Sequence, residues 1–382
     1  MLDSPFAVIF VAGEAALSLV RAESAAPANE AGEVAYWRVD DTDAAYARLL
    51  EAGATSHSDI YISGLGTRVA RVVDPFGNVL GITCRAPAPA QKSVEDQPSD
   101  SAMGVAFWRA IAAGDGRAEI RGPDTLAHLF LTGDFQRIAK DRAASEWMMK
   151  KVPGSYQYFI ARTAWFDTVV REALEQSVPQ IVFLGAGYDA RALRFRELLR
   201  DTRVFELDSV PTQRRKLRLL EQANIAPPPQ LTYVPINFVH ENLAEVLTRA
   251  GFAPDARTLF VWEGVTYYLP TAAIDQTLEF VRGHSPAGST LCLDYLLEAP
   301  DMAARYGVKE SRAAMQAAYR AEPIQFRIEE GTIQAFLSEH GFGMLEHLTA
   351  ADLERKYLTL RDGTSAGHVL ACFGLVEASV LD

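Results

Sequence analysis

The sequence predicts an α/β protein: a mostly parallel sheet with helices on both faces and an antiparallel last strand, preceded by a small α+β unit. Three observations predict it. Strand and helix patterns alternate from Gln180 to Leu296. The chain then closes with two strand patterns, "FGMLEHL" and "HVLACFGLVEA", and no helical pattern between them, so these two are expected to pair antiparallel. Finally, the Pro-, Ala- and charge-rich stretch "RAPAPAQKSVEDQPSD" breaks the composition near residue 90. Residues 1–85 are therefore expected to form a small module, 86–100 a linker and 101–382 the main domain.

In the first part, Phe6–Val11 and Ala15–Val20 read as a strand pair. That apolar stretch has no basic residue ahead of it and is interrupted by Glu14, so a strand pair is expected rather than an export signal. Val34–Val39 reads as a strand and Thr42–Ala52 as a helix, capped by Asp41 or Thr42 and stopped by Gly53. "SDIYI", "TRVARVVD" and "NVLGITC" follow as three strands, separated by Gly64-Leu65-Gly66 and the turn at Asp74–Asn78. The result is one βαβββ unit.

The main domain opens with helical patterns over Met103–Ala113, Pro123–Leu131 and Gln136–Met149, then over "SYQYFIARTAWFDTVVREALEQ". Strands are expected at Gln180–Leu184, Arg203–Asp208, Leu231–Pro235, Thr258–Trp262 and Ser289–Leu296. The helices between them begin near Asp189, Pro211, Glu241 and Thr271. The segment from Leu297 to Phe326 reads as a helical insertion suited to a lid. A helix at Thr332–His340 precedes the last two strands.

Composition excludes some function classes. A formal charge of −12 disfavours non-specific nucleic-acid binding, which depends on Lys and Arg neutralising phosphates. No apolar run reaches the ~18–20 residues needed to span a bilayer. Cys84, Cys292 and Cys372 are odd in number and widely spaced, which suits reduced thiols in a cytosol and offers no metal or disulfide pattern.

The chemistry centres on "PQIVFLGAGYDARALRF", where an apolar strand runs into Gly185-Ala186-Gly187. A strand, a tight turn lacking side chains and a helix start let a ligand approach the backbone. Asp208 ends the second strand, 21 residues beyond Gly187, where a carboxylate can accept from both hydroxyls of a ribose. These features point to an adenosyl ligand without choosing between a dinucleotide and S-adenosylmethionine. Arg162 and Glu263 choose. Arg162 stands in the helix ahead of the first strand, suited to a ligand's α-carboxylate. Glu263 ends the fourth strand, suited to an ammonium group. A dinucleotide would instead require its pyrophosphate over the helix N-terminus.

The phrases "YFIARTAWFD", "VFLGAGYDARALRF", "VFELDSVPTQRRK", "VPINF" and "VWEGVTYYLP" together resemble the leucine carboxyl methyltransferase family and its bacterial polyketide O-methyltransferase branch, over roughly residues 100–382. The closing antiparallel strand is likewise a mark of Rossmann-like S-adenosylmethionine-dependent methyltransferases. The resemblance implies that Arg162 contacts the cofactor carboxylate and Glu263 its amino-acid end. It further implies that Gly185, Ala186 and Gly187 line the site, Asp208 holds the ribose, and Asn237 with Phe238 sits at the adenine. Asn237 departs from the family's usual Asp; its side-chain oxygen is expected still to accept, and its amide to donate to a ring nitrogen. Tyr267 and Tyr268 are expected to wall the methyl-transfer site, with Tyr268 the candidate catalytic residue. Arg191 and Arg194 read either as surface salt bridges or as an acceptor clamp, and His240 as a helix-start residue.

The N-terminal phrases "RVDDTDAAYARLLEAGA" and "VVDPFGNVLGI" resemble the vicinal-oxygen-chelate superfamily of glyoxalase and bleomycin-resistance proteins. The family's ligand positions would fall at Val34 and Gly81, neither of which can hold a metal. A docking, homodimerising or vestigial role is expected of this module, and no metal.

The expected activity is methyl-ester formation on a carboxylate of a small, polyketide-like metabolite by a cytoplasmic enzyme. A hydroxyl or phenol acceptor, an NAD(P)-binding oxidoreductase and a non-catalytic binding or resistance protein are the alternatives.

Overall fold

The computed structural model describes residues 2–3, 7–12, 15–20, 34–62, 67–85, 97–319 and 322–382. The expected linker lies largely outside the described residues, as does the Gly64–Gly66 turn. The chain divides into two compact units, Met1–Gln91 and Lys92–Asp382.

In the first unit, β1 (Leu2–Asp3), β2 (Ala7–Ala12) and β3 (Ala15–Val20) form an antiparallel sheet. A second sheet has β4 (Ala35–Arg38) at its edge, parallel to β7 (Val79–Arg85), followed by β6 (Thr67–Val73) and β5 (Thr55–Ile62). Helix α1 (Thr42–Glu51) is capped by Asp41, which accepts from the amides of Asp43 and Ala44. It buries Ala45 against Ala70 and Ile82. The ring of Tyr36 covers Gly81 so closely that a Cβ there would meet it at 2.3 Å.

The second unit starts with α2 (Asp100–Ala113), α3 (Gly133–Lys140), α4 (Arg142–Lys151) and the long α5 (Ser155–Glu175). Two sequence expectations are corrected here. Pro123–Leu131 is no α-helix but holds a single 3-10 turn, Ala127–Phe130. The pattern over Gln136–Met149 is two helices, because Asp141 turns extended and uses its carboxylate to cap α4 through Ala144 N–H.

Alternation then delivers β8 (Gln180–Leu184), a one-turn α6 (Arg191–Arg194), β9 (Arg203–Asp208), α7 (Val210–Gln222), β10 (Leu231–Pro235), α8 (Leu243–Arg249), β11 (Thr258–Trp262), α9 (Thr271–Gly283) and β12 (Thr290–Glu298). The insertion holds α10 (Val308–Ala318) and leads through β13 (Ile328–Glu329) to α11 (Ile333–Glu339), β14 (Phe342–Leu348), α12 (Ala350–Tyr357) and β15 (Phe373–Val380). The strand order is β10-β9-β8-β11-β12-β15-β14, with β13 against β12. Strand β15 runs antiparallel to both neighbours, and the other pairings are parallel. The last strand is thus antiparallel as expected, but α12 stands in the connection expected to be free of helix. Its capping box, Thr349 with Asp352, starts it; a helix of only 8 residues with one buried side chain, Leu353, leaves little periodicity to read.

β8 and β11 are wholly buried, as covered parallel strands must be. The chain leaves β8 toward β9 on one side and returns to β11 on the other. That reversal opens a crevice at the carboxyl ends of β8 and β11, where α/β sheets bind ligands.

Candidate cofactor site

A cavity of about 430 Å³ occupies this crevice. All of the expected site residues line it: Arg162, Gly185, Ala186, Gly187, Asp208, Asn237, Phe238, Glu263 and Tyr268.

The glycine turn is built for close approach. Gly185 has φ +79° and Gly187 φ +51°, the left-handed region that glycine enters freely. A Cβ on Gly185 would come within 2.4 Å of Val265 Cγ2. The amides of Gly185 and Ala186 donate to Leu207 O, which binds the turn to the end of β9. Gly187 N–H donates to Asp208 Oδ2 at 2.6 Å, and Ser209 N–H donates to Oδ1 at 2.7 Å. Each carboxylate oxygen keeps a lone pair for the cavity. Burial pushes the Asp208 carboxyl up, partly opposed by these two amides.

Arg162 and Glu263 meet directly, with Arg162 Nε 3.0 Å from Glu263 Oε1. Arg162 Nη1 also reaches Asp294 Oδ2 at 2.9 Å, leaving Nη2 outside both contacts. Glu263 Oε2 accepts from Arg191 Nη1 at 2.6 Å. The chain of charge continues through Arg191 to Asp167 and Asp189, then through Arg194 and Asp124 to Arg109. Four guanidiniums and five carboxylates carry a formal charge of −1 with no side chain above 9% exposure. Burial opposes ionisation of Asp189, but Arg191 and Arg109 hold its carboxyl at about 2.

The chain of charge meets the cavity at Arg109, Arg162, Asp189 and Glu263. Glu263 Oε1 accepts no hydrogen bond despite its burial, since Arg162 Nε lies beside it out of line. Around the cavity Asp189, Asp208, Glu241, Glu263 and Glu322 outnumber Arg109 and Arg162, an acidic excess that suits a cationic ligand and disfavours a pyrophosphate. The ammonium and sulfonium of S-adenosylmethionine meet that requirement.

Asn237 lines the cavity, but its side-chain oxygen is committed to the backbone. Its Oδ1 accepts from Val239 and His240 N–H, forming an Asx turn, so the amide nitrogen remains as the group free of that turn. Arg191 and Arg194 are neither surface bridges nor an acceptor clamp; both are buried in the chain of charge. Tyr267 packs edge-on to Phe373, and its carbonyl accepts from Gln325 and Phe326 of the insertion.

Asp294 was missed from the sequence, although one signal was available: it is the only charge in the apolar run "LCLDYLL", and a buried carboxylate needs partners. Its Oδ1 accepts from Gly264 N–H at 2.6 Å, and its Oδ2 from Tyr158 and Arg162. Glu322 left no such signal. It lies across the start of α2, accepting from the amides of Asp100 and Ser101 and the hydroxyls of Ser99 and Ser101.

Similarity to known proteins agrees with this geometry. The leucine carboxyl methyltransferase profile matches residues 102–282. A protein of Mycolicibacterium gilvum, described as an S-adenosyl-L-methionine-dependent methyltransferase, is 32% identical over 214 residues, covering 55% of this chain and 83% of its own. The similarly described YktD of Bacillus subtilis is 29% identical over 208 residues, 54% of this chain and 68% of its own. The crystal structure of a DUF574 family protein from Streptomyces avermitilis shares the fold, with TM-score 0.51, 15% identity, and coverage of 74% of this chain and 98% of its own. The profile match, together with relatives that share one described activity, makes this chain a member of the leucine carboxyl methyltransferase family, an enzyme that transfers methyl groups from S-adenosyl-L-methionine.

Proposed function

We propose that the enzyme methylates an oxygen of a small molecule, forming a methyl ester on a carboxylate. In the bound complex Arg162 Nη2 would face the cofactor carboxylate, Glu263 its ammonium, Asp208 the ribose and Asn237 the adenine edge. The cofactor supplies an electrophilic methyl on a sulfonium. The chain's part is to align donor and acceptor and to keep water out.

The observation that carries the acceptor class is the fixed protonation of the groups at that end of the cavity. Burial pushes the phenols of Tyr267 and Tyr268 far up, so both stay neutral donors. The Glu322 carboxylate is engaged by four donors. An acceptor that arrives ionised needs no base. Incubation with labelled cofactor and candidate acids, followed by mass spectrometry for a base-labile ester, tests this; an alkali-stable methyl ether would favour the hydroxyl reading.

For the N-terminal unit we propose dimerisation. Trp37 on edge strand β4 is 53% exposed, beside a strand edge that pairs with no other strand among the described residues. Sedimentation of the full chain against a 97–382 truncation tests it, and an unchanged association state would sink it. Among the described residues no helix is long and apolar enough to cross a membrane.

A further inference from the structure

Arg191 does not line the cavity, yet it contacts three carboxylates of the buried chain of charge. Its Nε donates to Asp167 Oδ1 at 2.7 Å, and its Nη1 contacts Asp189 and donates to Glu263 Oε2 at 2.6 Å. It is 1% exposed and stacks its guanidinium over Phe166 at 5.6 Å. Burial opposes its charge, but Asp189, Glu263 and Asp167 overcome that and hold it cationic. Asp167 on α5 is itself fixed by Arg194, whose Nη1 and Nη2 reach both its oxygens at 2.7 Å.

We infer that Arg191 is a positioning residue for cofactor binding, one that acts through Glu263. Glu263 is gripped from two sides. Arg162 stands at Oε1 and Arg191 at Oε2, and only the Arg191 contact is a true hydrogen bond. Arg191 therefore fixes the rotamer of Glu263, whose side chain lines the cavity. Asp167 and Arg194 brace the guanidinium from the side away from Glu263. This explains why a buried arginine opens the one-turn α6: its partners lie on α5, in the turn after β8 and just past the end of β11.

The inference rests on the proposed placement of the cofactor ammonium at Glu263, and the test separates the two. Affinities of the full chain for S-adenosylhomocysteine and for 5′-methylthioadenosine, which lacks the amino-acid end, are compared by calorimetry. Arg191→Lys shortens the reach and removes the fork. It should weaken S-adenosylhomocysteine by about tenfold or more, the scale of one charge-assisted hydrogen bond, while 5′-methylthioadenosine changes by no more than about twofold. Glu263→Gln should show the same selectivity, and the double variant should lose little beyond Glu263→Gln alone. Asp167→Asn, which loosens Arg191 without touching Glu263, should show a weaker form of it and serves if Arg191→Lys does not fold.

Equal losses for both ligands, or none for S-adenosylhomocysteine, would overturn the role of Arg191. If Glu263→Gln itself shows no selectivity, the ammonium placement falls and this inference with it. If Glu263→Gln is selective and the Arg191 and Asp167 variants are not, only the inference falls.

Discussion

Gly187 and Asp208 are joined by a 2.6 Å hydrogen bond from the glycine amide to Oδ2, so the turn after β8 and the acid at the end of β9 form one rigid unit. Asp208→Asn keeps the shape but sets an amide against the Gly187 N–H if it turns that way, and halves the acceptors open to a ribose. The expected result is a loss of about 1.5–3 kcal/mol in cofactor binding, read by calorimetry. Because burial raises the Asp208 carboxyl, acidification protonates it earlier than an ordinary aspartate. Cofactor affinity should fall on that acidic limb in the parent enzyme, and the limb should be missing in Asp208→Asn.

Gly185 is held to glycine by two separate constraints. Its φ of +79° costs a side-chain-bearing residue about 1–2 kcal/mol, and Val265 Cγ2 stands 2.4 Å from where the Cβ would be. Gly185→Ala should lower the melting temperature and weaken cofactor binding by pushing Val265 aside. Adding Val265→Ala should recover part of the loss and not all, since it restores space but leaves the backbone strain. Full recovery would mean the dihedral carries no cost.

Asp294 lies at 0% exposure and holds Tyr158, Arg162 and the Gly264 amide together. Asp294→Leu strips a buried guanidinium of one of its two carboxylates and should cost about 3–5 kcal/mol in urea unfolding. The pair Arg137–Asp134 provides a surface comparison, with side chains 52% and 61% exposed. Breaking it by Asp134→Ala should change stability by less than about 1 kcal/mol.

Glu322 gives the first two amides of α2, Asp100 and Ser101, a carboxylate acceptor from the insertion. Glu322→Ala should speed hydrogen exchange at those two amides, leave exchange in β8 unchanged and raise the KM for the acceptor. Unaltered exchange at Asp100 and Ser101 would show that this contact does not hold the insertion to α2.

Sequence patterns made most of the sheet legible because its strands are buried on both faces and announce themselves as apolar runs, such as "QIVFL" and "TLFVW". The glycine turn and the acids at strand ends were legible too, because such residues have few other uses, whereas Glu322, which also lines the cavity, was not. What escaped was whatever depends on partners distant in the chain. Arg191 and Asp167 are 24 residues apart and Arg162 and Asp294 132 apart, so nothing local shows that they pair. The helix break at Asp141 and the short α12 escaped for another reason: capping side chains decide them, and one Asp or Thr adds little to a periodic pattern.

Tyr268 offers the sharpest test of the acceptor class. It lines the cavity beside Glu322 and Pro323, and its carbonyl accepts from Gln325 Nε2 at 2.6 Å, which fixes it against the insertion. Burial, with Glu322 nearby, pushes its phenol far above the ordinary tyrosine range. A phenol so placed can donate a hydrogen bond but cannot take a proton at neutral pH. If the acceptor is a carboxylate, Tyr268→Phe removes one donor and should lower kcat/KM by about tenfold, the cost of one hydrogen bond to a charged group. The pH profile of kcat should keep its shape, since no ionisation has been removed. If Tyr268 served instead as the base for a hydroxyl acceptor, Tyr268→Phe would lower the rate by about 10²–10⁴-fold and abolish the rise of rate with pH that its ionisation gives. Paired pH–rate profiles of the parent enzyme and Tyr268→Phe distinguish the two outcomes.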